Sequence, residues 1–508
     1  MEYLLVNAKV IGRPKNELFD VLIHDSVVAS IYPAGIDRSC PTQVDLQQGW
    51  IAPAFVDAHV HTTNTGVMIA GLDLSDCKSF DELRNRLQKL DNTDSIVLGH
   101  GWDDSQWSRK ADSSVFSDSA PPIYISRIDA HSALVSKSLI NKIPNIKNLD
   151  GFSETEPIKR EAHGVVREFA YSQLSSVQRS KYQNIAIDAF LKNGICEVHE
   201  MAGPLISSFK DAKLFNENML NRGLRSQLWW GELNGHENAI ALSSQGCGGD
   251  LFIDGSFGSK TAFVKNEYLD GGRGFQYISQ EQAVGHILRG YEYGLSTSFH
   301  VIGDAAIEVA THAFDKVKAE IGYDRYSSLN HRLEHVEHLS PQSITKLVDL
   351  NITFSMQPKF SSTWAGETGM YQDRIGEDWR KLNPFMPILK AGGRLLFGSD
   401  SPVTNLNPWE TVSAAMKMHN SEFSITQKAA FRASTTNLGQ VQVGDIANLA
   451  VWNVNDWAEL KSEEVIHKWS TDSRSFPVDY PNPFSPPQCL MTIVSGKILF
   501  SELGNADD

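Results

Sequence analysis

The sequence predicts a mixed α/β fold built on a (β/α)₈ barrel, with an inserted α/β subdomain and a small β-sandwich formed by both chain ends. Three observations support this prediction. Short apolar strands alternate with helical patterns along most of the chain, which is typical of βα units around a parallel sheet. The interval from about 62 to 194 is too long for one crossover helix. Finally, both ends of the chain carry short strand patterns separated by turn-forming residues.

The terminal strand patterns lie far apart in the sequence but are similar in kind. They cover Tyr3 to Val10, Asp20 to His24, Val27 to Tyr32, Ile446 to Trp452 and Met491 to Val494. A short strand pattern needs partners before it can bury its apolar face. We therefore predict that residues 1–50 and 440–508 form one composite β-sandwich.

Eight apolar runs between the two ends are candidates for the barrel strands. They cover Ile51 to Val60, Ile195 to Met201, Arg225 to Leu233, Asp250 to Phe257, Leu295 to Ile302, Arg332 to His338, Ile352 to Pro358 and Arg394 to Ser399. Accordingly, residues 51–61 and 195–439 are predicted to form the barrel. Residues 62–194 are predicted to form the inserted subdomain, a candidate lid with its own strands at Ser95 to Trp102 and Pro122 to Arg127.

Composition and charge exclude several classes of protein. The chain has 508 residues with 61 acids against 46 bases, and the absence of a Lys/Arg-rich run argues against nucleic acid or membrane as partner. The N-terminus lacks the positive charge of a signal peptide, and no apolar run reaches transmembrane length. Five scattered cysteines without a CxxC pair indicate neither a disulfide framework nor a thiolate zinc site. We expect a cytoplasmic protein.

Histidines and an acid stand where predicted barrel strands end, which is where catalysis occurs in this architecture. His59 and His61 end the first strand, and their i, i+2 spacing directs both imidazoles to one face. His300 ends the fifth strand, and Asp400 ends the eighth. Each residue alone could be structural, but their order brings nitrogens and an oxygen towards one point. Such donors suit a divalent ion, with zinc favoured and manganese, iron or nickel as alternatives.

The sixth predicted strand carries several titratable residues. Strand alternation puts His335 and Glu337 on one face and turns Glu334 and His338 to the other. His335 is therefore the better ligand, and His338 is a candidate for the rim of the site.

Eight segments, taken together and in order, match one known family over nearly the whole chain. They are Pro53–His61 (PAFVDAHVH), Gly99–Asp103 (GHGWD), Arg127–His131 (RIDAH), Gly164–Glu168 (GVVRE), Asp254–Ser259 (DGSFGS), His300–Ala306 (HVIGDAA), Leu333–His335 (LEH) and Gly398–Pro402 (GSDSP). In these segments the chain resembles the amidohydrolase superfamily, specifically the YtcJ-like, amidohydrolase 3 group. The resemblance implies a TIM barrel that carries the metal site, with a composite β-sandwich beside it.

One position departs from the pattern of this family. Many relatives have a lysine in the fourth strand, four residues before the Asp254-Gly255 pair, that can be carbamylated to bridge two metals. Asp250 stands at that place, and its side chain is shorter than a carbamylated lysine. Asp250 could bridge ions, bind one directly or orient a ligand, so one ion or two stays open. The predicted metal ligands are His59, His61, Asp250, His300, His335 and Asp400.

The resemblance and the donor set together predict a metal-dependent amidohydrolase. Metal-activated water would cleave the C–N bond of an amide, a cyclic amide or a formamide-like group. Asp400 is the predicted general base that passes a proton to the leaving nitrogen, and His335 or His338 would hydrogen-bond the oxyanion. The alternative is a non-catalytic relative that serves as a binding or assembly module, which should lack metal ligands.

Four residues of the insert are candidates for substrate contact, although they could equally stabilise the fold of the insert. They are Trp102, Asp103, Arg127 and His131. We expect a small-molecule amide-type substrate as the partner and leave a homodimer open.

Overall fold

The computed structural model describes residues 2–35, 40, 42–90, 95–127, 132–458 and 480–503, with the backbone alone at Leu438. Contacts between Cα atoms divide the chain into two compact units. The first unit comprises Met1–Val60, Asp188–Gly203 and Met219–Asp508, and the second comprises His61–Ile187 and Pro204–Asn218. The terminal strands and the barrel strands thus belong to one unit, and most of the predicted insert belongs to the other. The domain boundaries drawn from the sequence stay a prediction.

Eight parallel strands of the first unit form a nearly closed barrel. Asp400 N–H donates to the carbonyl of His59 at 2.8 Å, and Val60 forms a parallel bridge with Ser401, so the eighth strand meets the first. Several strands are buried along their full length, because barrel interior and outer helices cover both faces. In hydrogen-bonded order, the strands are Phe55–Val60, Ile195–Ala202, Arg225–Trp230, Gly246–Cys247, Ser296–Val301, Arg332–His335, Thr353–Met356 and Arg394–Phe397.

The first predicted barrel strand is two strands in the structure. Trp50–Pro53 pairs with the terminal strands, and only Phe55–Val60 belongs to the barrel. The break falls at Ala54, whose N–H donates to the carbonyl of Asn448 and so makes the last bond towards the terminal sheet before the chain enters the barrel. The apolar run Ile51 to Val60 does not reveal this change of sheet, because both strands are largely buried and therefore apolar.

The fourth strand predicted over Asp250 to Phe257 is misplaced: within that range a single residue, Phe252, forms a parallel bridge with His300 of the fifth strand. The barrel strand is Gly246–Cys247, and the chain turns immediately after it at Gly248 (φ 150°) and Gly249 (φ 84°). A Cβ on Gly248 would lie 2.2 Å from the carbonyl oxygen of Ser298, so only glycine fits there. Asp250 consequently lies beyond the end of this strand, just before Leu251 and Ile253 form backbone hydrogen bonds with His300 of the fifth strand.

Eight strands from both ends of the chain pair in a second sheet. Trp50–Pro53 joins the two ends, because it pairs with Glu2–Val10 on one side and with Leu449–Asn453 on the other. The Tyr3 hydroxyl donates to the carbonyl of Gly496 at 3.0 Å, which adds a second link. That this sheet folds as a sandwich stays a prediction. The strands are Glu2–Val10, Phe19–His24, Val27–Pro33, Gln43–Asp45, Trp50–Pro53, Leu449–Asn453, Gln488–Val494 and Lys497–Ser501.

The α-helices of the first unit follow the barrel strands. Gln280–Tyr293 shows how the sequence sets their ends: Ser279 and Gln282 form a capping box, and Gly294 (φ 67°) ends the helix. The others are His236–Ala241, Asp304–Ile321, Tyr323–Tyr326, Pro341–Asp349, Pro358–Trp364, Met370–Ile375, Phe385–Lys390, Pro408–Met416 and Gln427–Ala433. Two further helices, Ser176–Lys192 and Phe209–Arg222, contain residues of both units.

The second unit has a five-stranded sheet of its own. Its strands, in chain order, are Leu72–Asp73, Val97–Trp102, Ile123–Arg127, Ser132–Val135 and Ile158–Lys159. Its remaining α-helices are Thr62–Ala70, Phe80–Gln88, Lys137–Ile140 and Arg160–Ser172. Two clusters of buried apolar side chains form its core. None of the helices among the described residues of the chain combines the length and apolar character needed to cross a membrane.

Candidate metal centre

Asp250 lies at the centre of three imidazoles in the mouth of the barrel. Its Oδ2 atom is 3.4 Å from Nε2 of His59, and its Oδ1 atom is 3.4 Å from both Nδ1 of His300 and Nε2 of His335. Asp400 Oδ1 lies 3.6 Å from Nε2 of His59. Side chains from five separate parts of the chain thus meet, and each is nearly or fully buried.

The spacing of these atoms fits a shared cation. Hydrogen bonds from N–H to oxygen are usually shorter, about 2.7–3.2 Å. Two ligands of a tetrahedral ion at about 2.0–2.1 Å lie roughly 3.4 Å apart. Imidazole nitrogen and carboxylate oxygen are donors that zinc and neighbouring divalent ions accept. Two overlapping donor sets have all their ligand atoms within 4.8 Å of one another: His59, His335 and Asp400, and Asp250, His300 and His335.

The second nitrogen of each imidazole faces an acceptor that holds its proton. Because that nitrogen keeps the N–H, a cation can displace any proton from the nitrogen that faces Asp250 and bind there, as a metal-binding histidine requires. The three pairs are His59 Nδ1 with Glu334 Oε2 at 3.0 Å, His335 Nδ1 with Gln357 Oε1 at 2.8 Å, and His300 Nε2 with the Gly255 carbonyl at 3.2 Å.

Carboxylates dominate the electrostatics of this centre. Burial lowers the pKa of His59, but the negative charges of Asp250 and Asp400 outweigh it and raise that pKa to about 10. Burial raises the pKa of Asp250, but the surrounding imidazoles have the larger combined effect and lower this pKa well below its ordinary value. A site that draws a proton onto a fully buried histidine also attracts a metal cation.

The backbone is strained where two of these side chains leave their strands. Asp400 has φ 53°, His335 has φ 68° and Val336 has φ 42°, in the left-handed region that β-branched residues rarely adopt. Strain of this kind is concentrated at functional sites. At His335 it also interrupts strand alternation, so the predicted orientation of Glu334, away from the face of His335, is wrong. Both side chains face the centre.

Glu334 is the functional candidate that the sequence reasoning missed. It is fully buried and accepts hydrogen bonds from Arg332 Nη2 at 2.7 Å and Ser298 Oγ at 2.6 Å. Burial raises the pKa of Glu334, but the Arg332 guanidinium and the His59 imidazole together lower it well below its ordinary value, so Glu334 is ionised. The pattern Arg332-x-Glu334 could have shown this, because two charges on one face of a buried strand must pair.

Glu337 is also buried, at 3% exposure, and accepts a hydrogen bond from the Tyr371 hydroxyl. Burial raises its pKa to about 7 despite that hydrogen bond. A carboxyl group with such a pKa can take up or release a proton near neutral pH. Glu337 is thus a second proton-transfer candidate beside Asp400.

His61 directly follows the first barrel strand and is the N-cap residue of helix Thr62–Ala70. It is 9% exposed and is the first residue of the second unit. Its role as a metal ligand stays a prediction from the His-x-His spacing.

The candidate substrate residues of the insert make contacts within the second unit. Trp102 is 1% exposed and donates from Nε1 to the carbonyl of Ile125 at 3.2 Å, as a core residue does. Arg127 pairs with Asp103 at 2.6 Å and lies 5.8 Å from the Trp102 ring. Substrate contact by these residues stays a prediction. His131 lies outside the described residues.

A cavity of about 550 Å³ lies among residues that follow the seventh and eighth barrel strands. Lys359, which lines it, is two residues beyond Gln357, the partner of His335, and Val403 is three residues beyond Asp400. Lys359 is 5% exposed and donates to the Asn405 carbonyl at 2.6 Å, while burial lowers its pKa. This cavity is a candidate space for part of a substrate.

Comparisons with known proteins agree with this geometry. The sequence profile of the amidohydrolase family matches residues 42–500. Protein LONG AFTER FAR-RED 3 of Arabidopsis thaliana is 24% identical over 478 residues, covering 83% of this chain and 81% of that protein. The putative amidohydrolase YtcJ of Bacillus subtilis strain 168 is 22% identical over 420 residues, covering 74% of each. The crystal structure of an uncharacterized metal-dependent hydrolase from Pyrococcus furiosus has a TM-score of 0.73 at 22% identity, covering 89% of this chain and 98% of that one.

Proposed function

This chain belongs to the amidohydrolase family, and we propose that it is a metal-dependent hydrolase of C–N bonds in a small amide, cyclic amide or formamide-like substrate. One observation carries the proposal most directly. The ring nitrogens of His59, His300 and His335 that do not face Glu334, Gly255 or Gln357 converge on Asp250, each at 3.4 Å. That convergence supports metal-dependent chemistry over a purely structural role for these side chains, because each imidazole is already oriented as a ligand.

We propose that the metal is held by the predicted donors and is most often zinc. When bound, a divalent ion supplies Lewis acidity, which eases the loss of a proton from water and polarises a carbonyl group. Asp250 uses Oδ2 towards His59 and Oδ1 towards His300 and His335. Because these two oxygens face different imidazoles, Asp250 is proposed to bind the metal at the position where many relatives have a lysine. The proposed ligands are His59, His61, Asp250, His300, His335 and Asp400.

The residues of this chain divide the remaining work between them. Asp400 accepts the proton of the attacking water and delivers it to the leaving nitrogen, since its carboxylate stands beside the proposed ligands on a strained strand end. Both nitrogens of His335 are directed at Gln357 and Asp250, so we propose a ligand role for it rather than a hydrogen bond to the oxyanion. His338 faces Asp304 at 3.8 Å.

The cavity beside Lys359 and Val403 would hold the part of the substrate that does not react. Enzymes of this architecture bind ligands with the loops at the carboxyl ends of the strands. A non-catalytic binding module, the other hypothesis, predicts the loss of ligands. In the described centre, by contrast, all five side chains still carry an atom that can bind a metal: His59, Asp250, His300, His335 and Asp400.

The proposal can be tested by combining metal analysis with turnover. The protein is stripped with a chelator, reloaded with Zn²⁺ or Mn²⁺, and assayed for amine or ammonia release from formamides, N-acyl amino acids and cyclic ureas. We expect at least one ion per chain and turnover of one of these classes. Asp400→Asn should lower kcat by about 10²–10⁴-fold, whereas Asp315→Asn, at an exposed pair with Lys346, should not. Less than one ion per chain after reloading would favour the binding module.

A further inference from the structure

A second group of metal-binding residue types lies apart from the centre described above. His236 begins helix His236–Ala241, Cys247 ends the fourth barrel strand, and His286 lies in helix Gln280–Tyr293. All three are fully buried, and their ligand atoms lie within 4.8 Å of one another. These residues are 11 and 39 positions apart, so no short motif reveals the group in the sequence.

The hydrogen bonds of His286 define its protonation. Its Nδ1 atom accepts from the backbone N–H of Asn234 at 3.0 Å, so the proton is on Nε2, which lies 3.2 Å from the carbonyl of Cys247. An imidazole whose N–H donates to a backbone carbonyl is the arrangement in which the other nitrogen commonly binds a metal. Here that other nitrogen is Nδ1, and Asn234 lies in an exposed turn.

His236 is the unusual member of the group. Neither of its ring nitrogens makes a hydrogen bond of good geometry among the described residues, although the side chain is fully buried. Its ring lies 4.6 Å from that of His286 and stacks 5.5 Å from that of Tyr293. Buried polar atoms are usually satisfied, and leaving two of them unpaired is unfavourable. A bound cation would supply the missing partner.

Cys247 completes the donor set. Its Sγ atom lies 3.5 Å from the carbonyl of Glu232, a weak contact for a thiol. Burial raises the pKa of Cys247 to about 12, so the free thiol is protonated and a poor nucleophile. A redox role is therefore disfavoured, whereas a cation that displaces the proton would stabilise the thiolate.

We propose that His236, Cys247 and His286 bind one zinc ion. Zinc accepts imidazole nitrogen and thiolate sulfur, and three protein ligands leave the fourth position of its tetrahedron to a water. Binding forms a Zn–S bond and releases the thiol proton to solvent. His286 binds through Nδ1 and keeps its N–H bond to the Cys247 carbonyl, while the exposed turn at Asn234 shifts to release its N–H. The ion would connect helices His236–Ala241 and Gln280–Tyr293 to the end of the fourth strand.

Cobalt substitution tests this site independently of any hydrolase activity. Co²⁺ bound to a thiolate gives a near-ultraviolet charge-transfer band, and the residues of the centre around Asp250 include no cysteine. We therefore titrate the metal-free, full-length protein with Co²⁺ and expect this band to appear. Its intensity should correspond to one thiolate-bound Co²⁺ per chain. Cys247→Ser should abolish it, and His236→Gln should weaken the Co²⁺ affinity by about tenfold or more.

Cys40→Ser serves as the matched control, because Cys40 is the one free thiol that is not buried and is therefore the most accessible to adventitious Co²⁺. It should leave the band unchanged. Absence of the band at saturating Co²⁺ in the unaltered protein, or its persistence in Cys247→Ser, would overturn the proposal. If Cys247→Ser does not fold, an unchanged affinity in folded His236→Gln overturns it instead.

Discussion

Glu334 places a carboxylate oxygen 3.0 Å from Nδ1 of His59, and neither side chain is exposed to solvent. The other nitrogen of His59 faces Asp250 and Asp400. Glu334 thereby sets which nitrogen of His59 carries the proton, and Arg332 keeps Glu334 ionised. A carboxylate in this position raises the basicity of a ligating imidazole.

Replacing Glu334 by Gln should therefore weaken metal binding while nearly preserving shape. An amide can still accept from His59, but it lacks the charge that favours the bound state, so we expect a 10–100-fold loss of affinity, about the usual cost for such partners. Competition with a fluorescent chelator measures this. The control Glu308→Gln removes an exposed carboxylate paired with Lys265. Equal affinities of the two variants would show that Glu334 does not act on the metal through His59.

Gly248→Ala should displace Asp250. The added Cβ would lie 2.2 Å from the Ser298 carbonyl, and φ 150° is unfavourable for alanine, so the backbone before Asp250 must move. We expect loss of bound metal, with destabilisation of about 1 kcal/mol or more. Metal content and thermal unfolding report the two effects. At Gly285, on an exposed helix position with open space, alanine should instead stabilise by about 0.5–1 kcal/mol. Full metal content in Gly248→Ala would contradict this account.

Asp250→Asn should remove the charge on which the three imidazoles converge. The side chain keeps its size, so the expected change is in metal binding: fewer ions per chain, or a weaker affinity, at neutral pH. The pKa of His59 should also fall, because the charge of Asp250 raises it. Elemental analysis after dialysis measures the first effect. An unchanged ion count, with unchanged affinity, would mean that Asp250 only orients a neighbouring ligand.

Residues at the ends of buried strands were the predictable part of this centre. His300 and Asp400 end apolar runs, and since parallel strands of a barrel bring their carboxyl ends to one mouth, polar residues there must converge. An eight-stranded parallel barrel followed from the same alternation of strand and helix, although the fourth strand was misplaced. Neither inference needs knowledge of side-chain packing.

Positions where the chain leaves the strand direction could not be predicted in this way. The approach of Asp250 depends on the turn at Gly248 and Gly249, a pair that could have signalled an early strand end. The orientation of Glu334 depends on φ 68° at His335, which tertiary packing imposes against the local preference of the residue. The turn at Gly248 and Gly249 thus explains how the short side chain of Asp250 reaches the three imidazoles from a position where many relatives have a lysine.

His331 provides a test of stability against pH that is separate from the metal centre. Its Nδ1 atom accepts from the Thr297 N–H at 3.0 Å, so Nε2 donates to the Tyr291 hydroxyl at 2.7 Å. That hydroxyl donates in turn to the carbonyl of Tyr326 at 2.7 Å. Burial lowers the pKa of His331 to about 3, and the neutral ring is the one that these bonds require.

Stability should fall as pH decreases from about 6.5 towards 3, since the unfolded chain binds a proton at this residue and the folded chain does not. Through His331 the free energy of unfolding should fall by about 1.4 kcal/mol for each pH unit of acidification within that window, with no change above it. His331→Gln should therefore show a shallower acid-side slope than the unaltered protein in urea unfolding at pH 5.0 to 7.5, although it is less stable at pH 7.5. His312→Gln, at an exposed helix position, should leave the slope unchanged. Equal slopes in His331→Gln and the unaltered protein would show that His331 is charged in the folded state.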